Sequence, residues 1–261
     1  MKTVIVPVDF SETSINALNF AAEFLQGSYD IKIILYHAYS KESEGQKITS
    51  ELENTRAAIL ANHPLVIDIL AHKEDDFVAG LERAVRHRSA ELVIMGANQK
   101  SAISLAFFDS NFMKFSATKA CPVLVVPHGV KFTRVSNVML ASDFRDTLNT
   151  TPSGPIKDFL SLHRPQLHVV NVDKDHYISL SEKYENEKQD LKQLLKEYNP
   201  EFYFMRLFDT SEAIDLFAKD REIDMIILVH REHSIMKKIF SHGTTKQLAY
   251  HSNLPVLVIH Q

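Results

Sequence analysis

The feature that most constrains this chain is an internal repeat. VIVPVDFSE (Val4–Glu12) matches NVMLASDFRD (Asn137–Asp146), with Asp9-Phe10 aligned on Asp143-Phe144. IKIILYHAYS (Ile31–Ser40) matches LHVVNVDKD (Leu167–Asp175). ELVIMGANQKS (Glu91–Ser101) matches DMIILVHREHS (Asp224–Ser234), and CPVLVVPH (Cys121–His128) matches LPVLVIHQ (Leu254–Gln261). The offset is 134 residues from Asp9 to Asp143 and 133 from Pro122 to Pro255. Four blocks in one order at nearly one spacing mean two homologous domains. They are expected at 1–129 and 134–261, joined in HGVKFTRVS (His128–Ser136), where glycine and polar residues interrupt the apolar pattern. A chain of 261 residues holds two cores of about 130 residues each.

Each half alternates short apolar runs with amphipathic stretches. Strands are read at 3–8, 31–38, 65–71, 91–95 and 122–127, and helices at about 12–26, 43–62, 75–88 and 110–119. The second half reads alike, with a long helix in ISLSEKYENEKQDLKQLLKEYN, where Leu180, Tyr184, Leu191, Leu194 and Leu195 fall at helical spacing. Strands apolar almost throughout belong to parallel sheets covered on both faces. Strand–helix alternation with right-handed crossovers gives a doubly wound α/β fold. Such sheets bind ligands beyond the carboxyl ends of their strands, at the point where the strand order reverses. Asp9, Asp143, Gly96 and His230 all fall just past strand ends.

These residues resemble a known family. IVPVDFSETS is similar to the opening strand and aspartate of universal stress proteins, and ELVIMGANQKS with CPVLVVP to their closing segment. The chain therefore resembles a tandem universal stress protein over nearly all of both halves. The resemblance implies two Rossmann-like domains of the adenine-nucleotide alpha-hydrolase-like kind, each a five-stranded, mainly parallel sheet flanked by helices. It also implies that the last strands, 122–127 and 255–260, associate across a pseudo-twofold within the chain. A homodimer of the whole chain is a further family habit.

Nucleotide-binding members carry G-x-x-G, nine residues, then G-[S/T]. Here Gly96 and Ser110 match, while Gln99 and Asp109 replace the second and third glycines. A side chain at 99 crowds the backbone's approach to phosphate. A carboxylate about 4 Å from a phosphate repels it by roughly 4 kcal/mol at an effective dielectric of 20. The second domain has two readings. By continuity from Asp224 the glycine's place is Val229 and nothing of the motif survives. Shifted by one, His230 and His233 replace the first two glycines, and Gly243-Thr244 complete the motif. The resemblance thus gives Asp9, Gly96 and Ser110 as nucleotide-binding candidates in the first domain, and Asp143, Gly243 and Thr244 as weaker ones in the second. ATP or AMP is expected to bind weakly or not at all, with magnesium only alongside a nucleotide.

Each candidate has a plainer alternative. Asp9 or Ser11 caps the helix that follows, Asp143 does the same in its half, Gly96 is a turn glycine, and Ser110 caps its own helix. His230, His233 and His242 lie within thirteen positions, beside Lys237 and Lys238. Histidine suits a metal, a phosphate or titration near neutral pH, but no familiar ligand spacing accompanies these, so a solvated loop and no metal site is the expectation. Cys121 reads as a packing residue.

Charge and motif narrow the function. A net charge of −4 and a pI near 6.3 supply no field for nucleic acid or anionic lipid. The start, MKTVIVPVDFSETS, does not read as a signal peptide, and no stretch of about 18 apolar residues occurs. One cysteine forms no internal disulfide, consistent with the cytoplasm. There is no G-x-S-x-G elbow, P-loop or H-E-x-x-H, and no glycine-rich loop after the first strand. A receiver domain would need an acidic pair after strand one, where only a single aspartate stands. The expectation is a non-enzymatic cytoplasmic stress-response regulator or adaptor with a degenerate adenine-nucleotide site. The alternative is an ATP- or AMP-binding switch, or slow ATPase, using the first domain.

Overall fold

A computed structural model describes residues 1–97, 110–172, 182–205, 210–230 and 254–261. It resolves into two compact units, the described part of the first ending at Thr133 and that of the second starting at Arg134.

In the first, β1 (Thr3–Pro7), β2 (Lys32–Tyr39), β3 (Val66–Lys73), β4 (Leu92–Ala97) and β5 (Val123–Pro127) lie in the order β3-β2-β1-β4-β5, all parallel. Helices α1 (Glu12–Phe24), α2 (Gly45–Leu60), α3 (Phe77–Arg88) and α4 (Ser110–Ala117) connect them. The central strand carries Val4, Ile5 and Val6, all fully buried. Each contributes about 1.5–3 kcal/mol by leaving water. Helix α1 starts where Ser11 caps it and presents Ala17, Leu18, Ala21, Ala22 and Phe24 to the core. It ends before Gly27, whose φ of 87° an L side chain rarely adopts.

The second repeats the order with β6 (Asn137–Ala141), β7 (Gln166–Val172), β8 (Glu201–Met205), β9 (Met225–His230) and β10 (Val256–His260), as β10-β9-β6-β7-β8, again all parallel. One element departs from the repeat. In place of the continuous α1 stand a four-residue α5 (Thr147–Thr150) and a separate α6 (Ser153–Leu160). Pro152 between them lacks the N–H a continuous helix needs, and its ring restricts Thr151 to extended backbone, observed at φ −100°, ψ 111°. The described part of the long helix is α7 (Glu182–Leu194), and α8 (Thr210–Asp220) follows β8. Among the described residues no helix is long and apolar enough to cross a membrane.

The ladders also settle a register. Val4 pairs with Leu92 as Val138 pairs with Met225, and Gly96 pairs with Val126 as Val229 pairs with Ile259. The structural counterpart of Gly96 is therefore Val229, and the one-residue shift that puts His230 there does not hold along the strand.

Candidate functional site

In a doubly wound sheet the strand order reverses beside the central strand, between β1 and β4 in one half and between β6 and β9 in the other. Two turns lie at these points: β1 to α1, and β6 to α5.

The first turn is supported locally. Asp9 is exposed, and its Oδ1 accepts from the Ser11 N–H at 3.0 Å and from the Ser11 hydroxyl at 2.5 Å. Ser11 Oγ in turn accepts from the Ser14 N–H at 3.2 Å, the helix N-cap bond. Ser14 Oγ accepts from the Asp9 N–H at 3.3 Å and donates to the Ser11 carbonyl at 3.0 Å. The cap is Ser11, and Asp9 holds the cap in place. Partial burial pushes the Asp9 carboxyl up, but the hydrogen bonds from Ser11, Ser14 and the backbone outweigh it, and its pKa falls below the usual 3.8. Phe10 takes a left-handed φ of 63° and stacks on His37, with ring centroids 5.0 Å apart. His37 Nδ1 lies 2.6 Å from the Val8 carbonyl, so that nitrogen carries the proton and donates.

Gly96 is a strand residue, not the turn glycine that is its plainer sequence reading. A Cβ there would lie 2.5 Å from the Thr13 carbonyl oxygen and 2.8 Å from its Cγ2. The bare Cα lets the first turn of α1 press onto β4. Thr13 Oγ1 also meets His128 Nδ1 at 3.2 Å, and Asn16 Nδ2 donates to the carbonyls of Pro127 and Val130 at 3.3 and 3.1 Å. The start of α1 is thus tied to the ends of both β4 and β5.

The second turn keeps the backbone and changes its supports. Phe144 again has a left-handed φ, 49°, and Asn171 donates to the Ser142 carbonyl at 2.9 Å, as His37 does to Val8. Asp143 Oδ1 accepts from the Arg145 N–H at 3.3 Å. The N–H groups of Asp146 and Thr147 donate to the Glu187 carboxylate at 3.1 and 2.7 Å. That carboxylate comes from α7, one turn beyond Tyr184. Phe144 is buried against Tyr184, Phe202 and Phe204, with centroids 5.2, 6.0 and 5.4 Å away. An internal anion and an aromatic cluster occupy this end of the sheet.

Of the sequence candidates, Asp9 and Gly96 lie at the first reversal point and Asp143 at the second. Ser110 opens α4. Gly243 and Thr244 lie outside the described residues, as do Gln99, Asp109, His233, His242, Lys237 and Lys238. His230 is the last residue of β9 rather than part of a loop. Cys121 is buried, which pushes its thiol up to about 12. Among the described residues no three His, Cys, Asp or Glu side chains group as metal ligands. His37 and Glu187 escaped the sequence reading. His37 had one available signal, its place at the end of the second strand beside Asp9. Glu187 had none, because its partner is 40 residues distant.

A family model described as the universal stress protein family matches residues 1–127 and 162–260. The chain belongs to this family. The second match begins past Asp143 and the interrupted helix, where this universal stress protein departs from its own first half. The chain is similar to the crystal structure of a universal stress protein from Archaeoglobus fulgidus DSM 4304, with TM-score 0.69 and 16% identity, covering 99% of this chain and 98% of that one. A protein described as functionally unknown from Pseudomonas aeruginosa PAO1 gives TM-score 0.62 and 14% identity over 100% and 92%. The cytoplasmic domain of a prokaryotic cation chloride cotransporter gives 0.54 and 11% over 98% and 94%. At such identities the likeness is one of fold, and a fold carries many functions. None of the curated proteins matches the chain.

Proposed function

We propose that this universal stress protein is a non-enzymatic, cytoplasmic stress-response regulator or adaptor whose adenine-nucleotide sites are degenerate. The observation that carries this reading is that the chain's own side chains take two backbone N–H donors at each reversal point. Ser11 and Asp9 take them in the first domain and Glu187 in the second. The N–H groups of Ser14, Asp146 and Thr147 at these helix starts are thereby satisfied internally. Gln99 and Asp109, where the family motif has glycines, add to it from sequence.

The second reading, a switch or slow ATPase that takes ATP or AMP with magnesium in the first domain, is favoured by one feature: Asp9 is exposed at the reversal point and Gly96 is retained beside it. Site candidates remain Asp9, Gly96 and Ser110, with Asp143, Gly243 and Thr244 behind them. The domains are proposed to pair within the chain through strands 122–127 and 255–260, and the chain to form homodimers. The support is family habit and the need to cover an apolar sheet edge. Native mass spectrometry tests the dimer.

Mass spectrometry of nucleotide released from protein purified without added ligand tests the main reading, with none expected. In equilibrium titration, ATP should bind more weakly than about 100 μM, a threshold of about 5.5 kcal/mol. Gln99→Gly with Asp109→Gly should tighten binding about a hundredfold, less at high salt if repulsion dominates. Micromolar binding by the unaltered protein would overturn the degenerate-site reading in favour of the switch.

A further inference from the structure

We propose that the outer edge of β3 is a docking surface for β3 of a second copy of this chain, the two strands pairing antiparallel about a twofold centred on Leu70. The proposal rests on the reading of the chain as a homodimer and says where the two copies meet. In the first domain's sheet β3 is the end strand, paired only with β2 among the described residues. Its eight residues, VIDILAHK, match β2 rung for rung, with no bulge, proline or glycine. An edge of that length without such interruptions is a template for another strand. Val66 is 50% exposed, and Ile69, Leu70 and Ala71 are half-buried. The edge strand of the second domain, β8, is shorter, with five residues.

The ladder fixes which backbone groups are free. The Glu74 N–H donates to the Tyr39 carbonyl at 2.8 Å, and Tyr39 stands opposite Lys73. In a parallel strand the N–H and C=O of one residue point to the same side, and the side alternates along the chain. Asp68, Leu70 and His72 therefore turn theirs toward β2, while Ile67, Ile69, Ala71 and Lys73 turn theirs outward. In an antiparallel pair the residues that exchange hydrogen bonds must both face outward. A twofold at Leu70 meets this condition, setting Ile67 opposite Lys73 and Ile69 opposite Ala71. The closer pairs without hydrogen bonds then bring Leu70 onto Leu70 and Asp68 onto His72. Asp68 and His72 are half-exposed, Asp68 beside Lys32 at 3.2 Å and His72 Nδ1 3.1 Å from Glu74. A charge in the middle of an edge ordinarily guards against pairing. Here the twofold sets a base against that acid, a favourable cross-strand pair. Moving the centre to Ile69 sets Asp68 against Leu70, and moving it to Ala71 sets Asp68 against Glu74, a like charge. The strand is thus complementary to itself, as a twofold interface requires.

The test uses the full chain. Native mass spectrometry should give a dimer, and Leu70→Lys, which sets two like charges face to face, should weaken it about tenfold or more. A cysteine at 70 tests the register. Across a pair without hydrogen bonds the Cα atoms stand about 4.5 Å apart, within reach of a disulfide. Leu70→Cys should therefore cross-link to a covalent dimer on mild oxidation. His72→Cys, whose two copies lie far apart in this register, is the control and should not. The native Cys121 is buried and common to both variants. Circular dichroism checks that each variant has folded; if Leu70→Lys does not, Leu70→Cys carries the test. A wholly monomeric unaltered chain overturns the homodimer reading and this proposal with it. A dimer that Leu70→Lys leaves intact, or that Leu70→Cys does not cross-link, overturns the β3 assignment alone.

Discussion

Asp9-Phe10 and Asp143-Phe144 occupy the same place in the two domains, and both phenylalanines take a left-handed backbone, φ 63° and 49°. A bulky residue in that region carries a cost of order 1–3 kcal/mol, held only where surroundings over-determine it. The surroundings differ. The first turn is held by neighbours within a few residues, Ser11 and Ser14, and by His37 stacked on Phe10. The second imports its supports from α7, with Glu187 on the backbone and Tyr184 against Phe144. The backbone shape of the turn has been kept while the chemistry around it was replaced. The first domain leaves a carboxylate facing solvent at its reversal point; the second packs an internal anion and aromatic rings at that end of the sheet.

The largest expected effect comes from exchanging the glycine position. Gly96→Val gives the first domain what the second carries, and its Cβ would meet the Thr13 backbone at 2.5 Å. Backbone cannot rotate aside as a side chain does, so α1 must lift from β4, at a cost of about 3 kcal/mol. The reverse change, Val229→Gly, meets no clash and removes a half-buried side chain, costing about 1 kcal/mol. Urea denaturation of both variants checks the ordering. Equal costs would mean that the tight approach at Gly96 does not distinguish the domains.

A smaller effect separates the imported support from the local one. Glu187→Ala leaves two backbone donors without their carboxylate and should cost about 1–2 kcal/mol, with Glu187→Gln recovering part. Ser11→Ala, which removes one neutral cap, should cost about 1 kcal/mol. Hydrogen exchange localises each loss: the amides of Asp146 and Thr147 should speed up in the first variant and that of Ser14 in the second. Faster exchange at Ser14 in Glu187→Ala would show that the two turns are not supported separately.

The repeat, the parallel strands and the positions of Asp9, Asp143 and Gly96 were legible because they rest on apolar periodicity and local spacing. What was not legible depended on distance along the chain. Sequence alone left Val229 and His230 as equal counterparts of Gly96, because a one-residue shift costs nothing in a string. In a ladder the same shift would turn every side chain of β9 to the opposite face, and the observed pairing excludes it. The break between α5 and α6 was written in TTPSGP, yet the match of Asp143-Phe144 to Asp9-Phe10 suggested a continuous helix. The in-register pairing of His230 with His260 joins positions 30 residues apart in sequence.

The smallest effect is the acid response, where the domains should separate by pH window. His168 on β7 is 4% exposed; its Nε2 meets Asn137 Oδ1 at 3.3 Å, and its Nδ1 lies 3.7 Å from Glu201 Oε2. Phe217 and Tyr203 pack against the ring, the Tyr203 hydroxyl donates to Glu201, and Arg221 lies over Tyr203. Burial lowers the His168 pKa below 6.5; Glu201 opposes the change and Arg221 adds to it. A histidine with a depressed folded-state pKa binds protons more readily when unfolded. Its contribution is whole above the unfolded value, about 6.5, and declines as pH falls below it. Asp9, whose pKa is also depressed, keeps its contribution down to about 3.8 and loses it as pH falls further toward the folded value. Between about pH 6.5 and 5 the second domain should therefore weaken while the first does not. Hydrogen exchange should show Gln166–Val172 and Glu201–Met205 losing protection before Thr3–Pro7, and His168→Gln should abolish the difference. The attraction of Glu201 for a protonated ring limits the size of the effect. Earlier loss from Thr3–Pro7 would place the acid-sensitive group in the first domain instead.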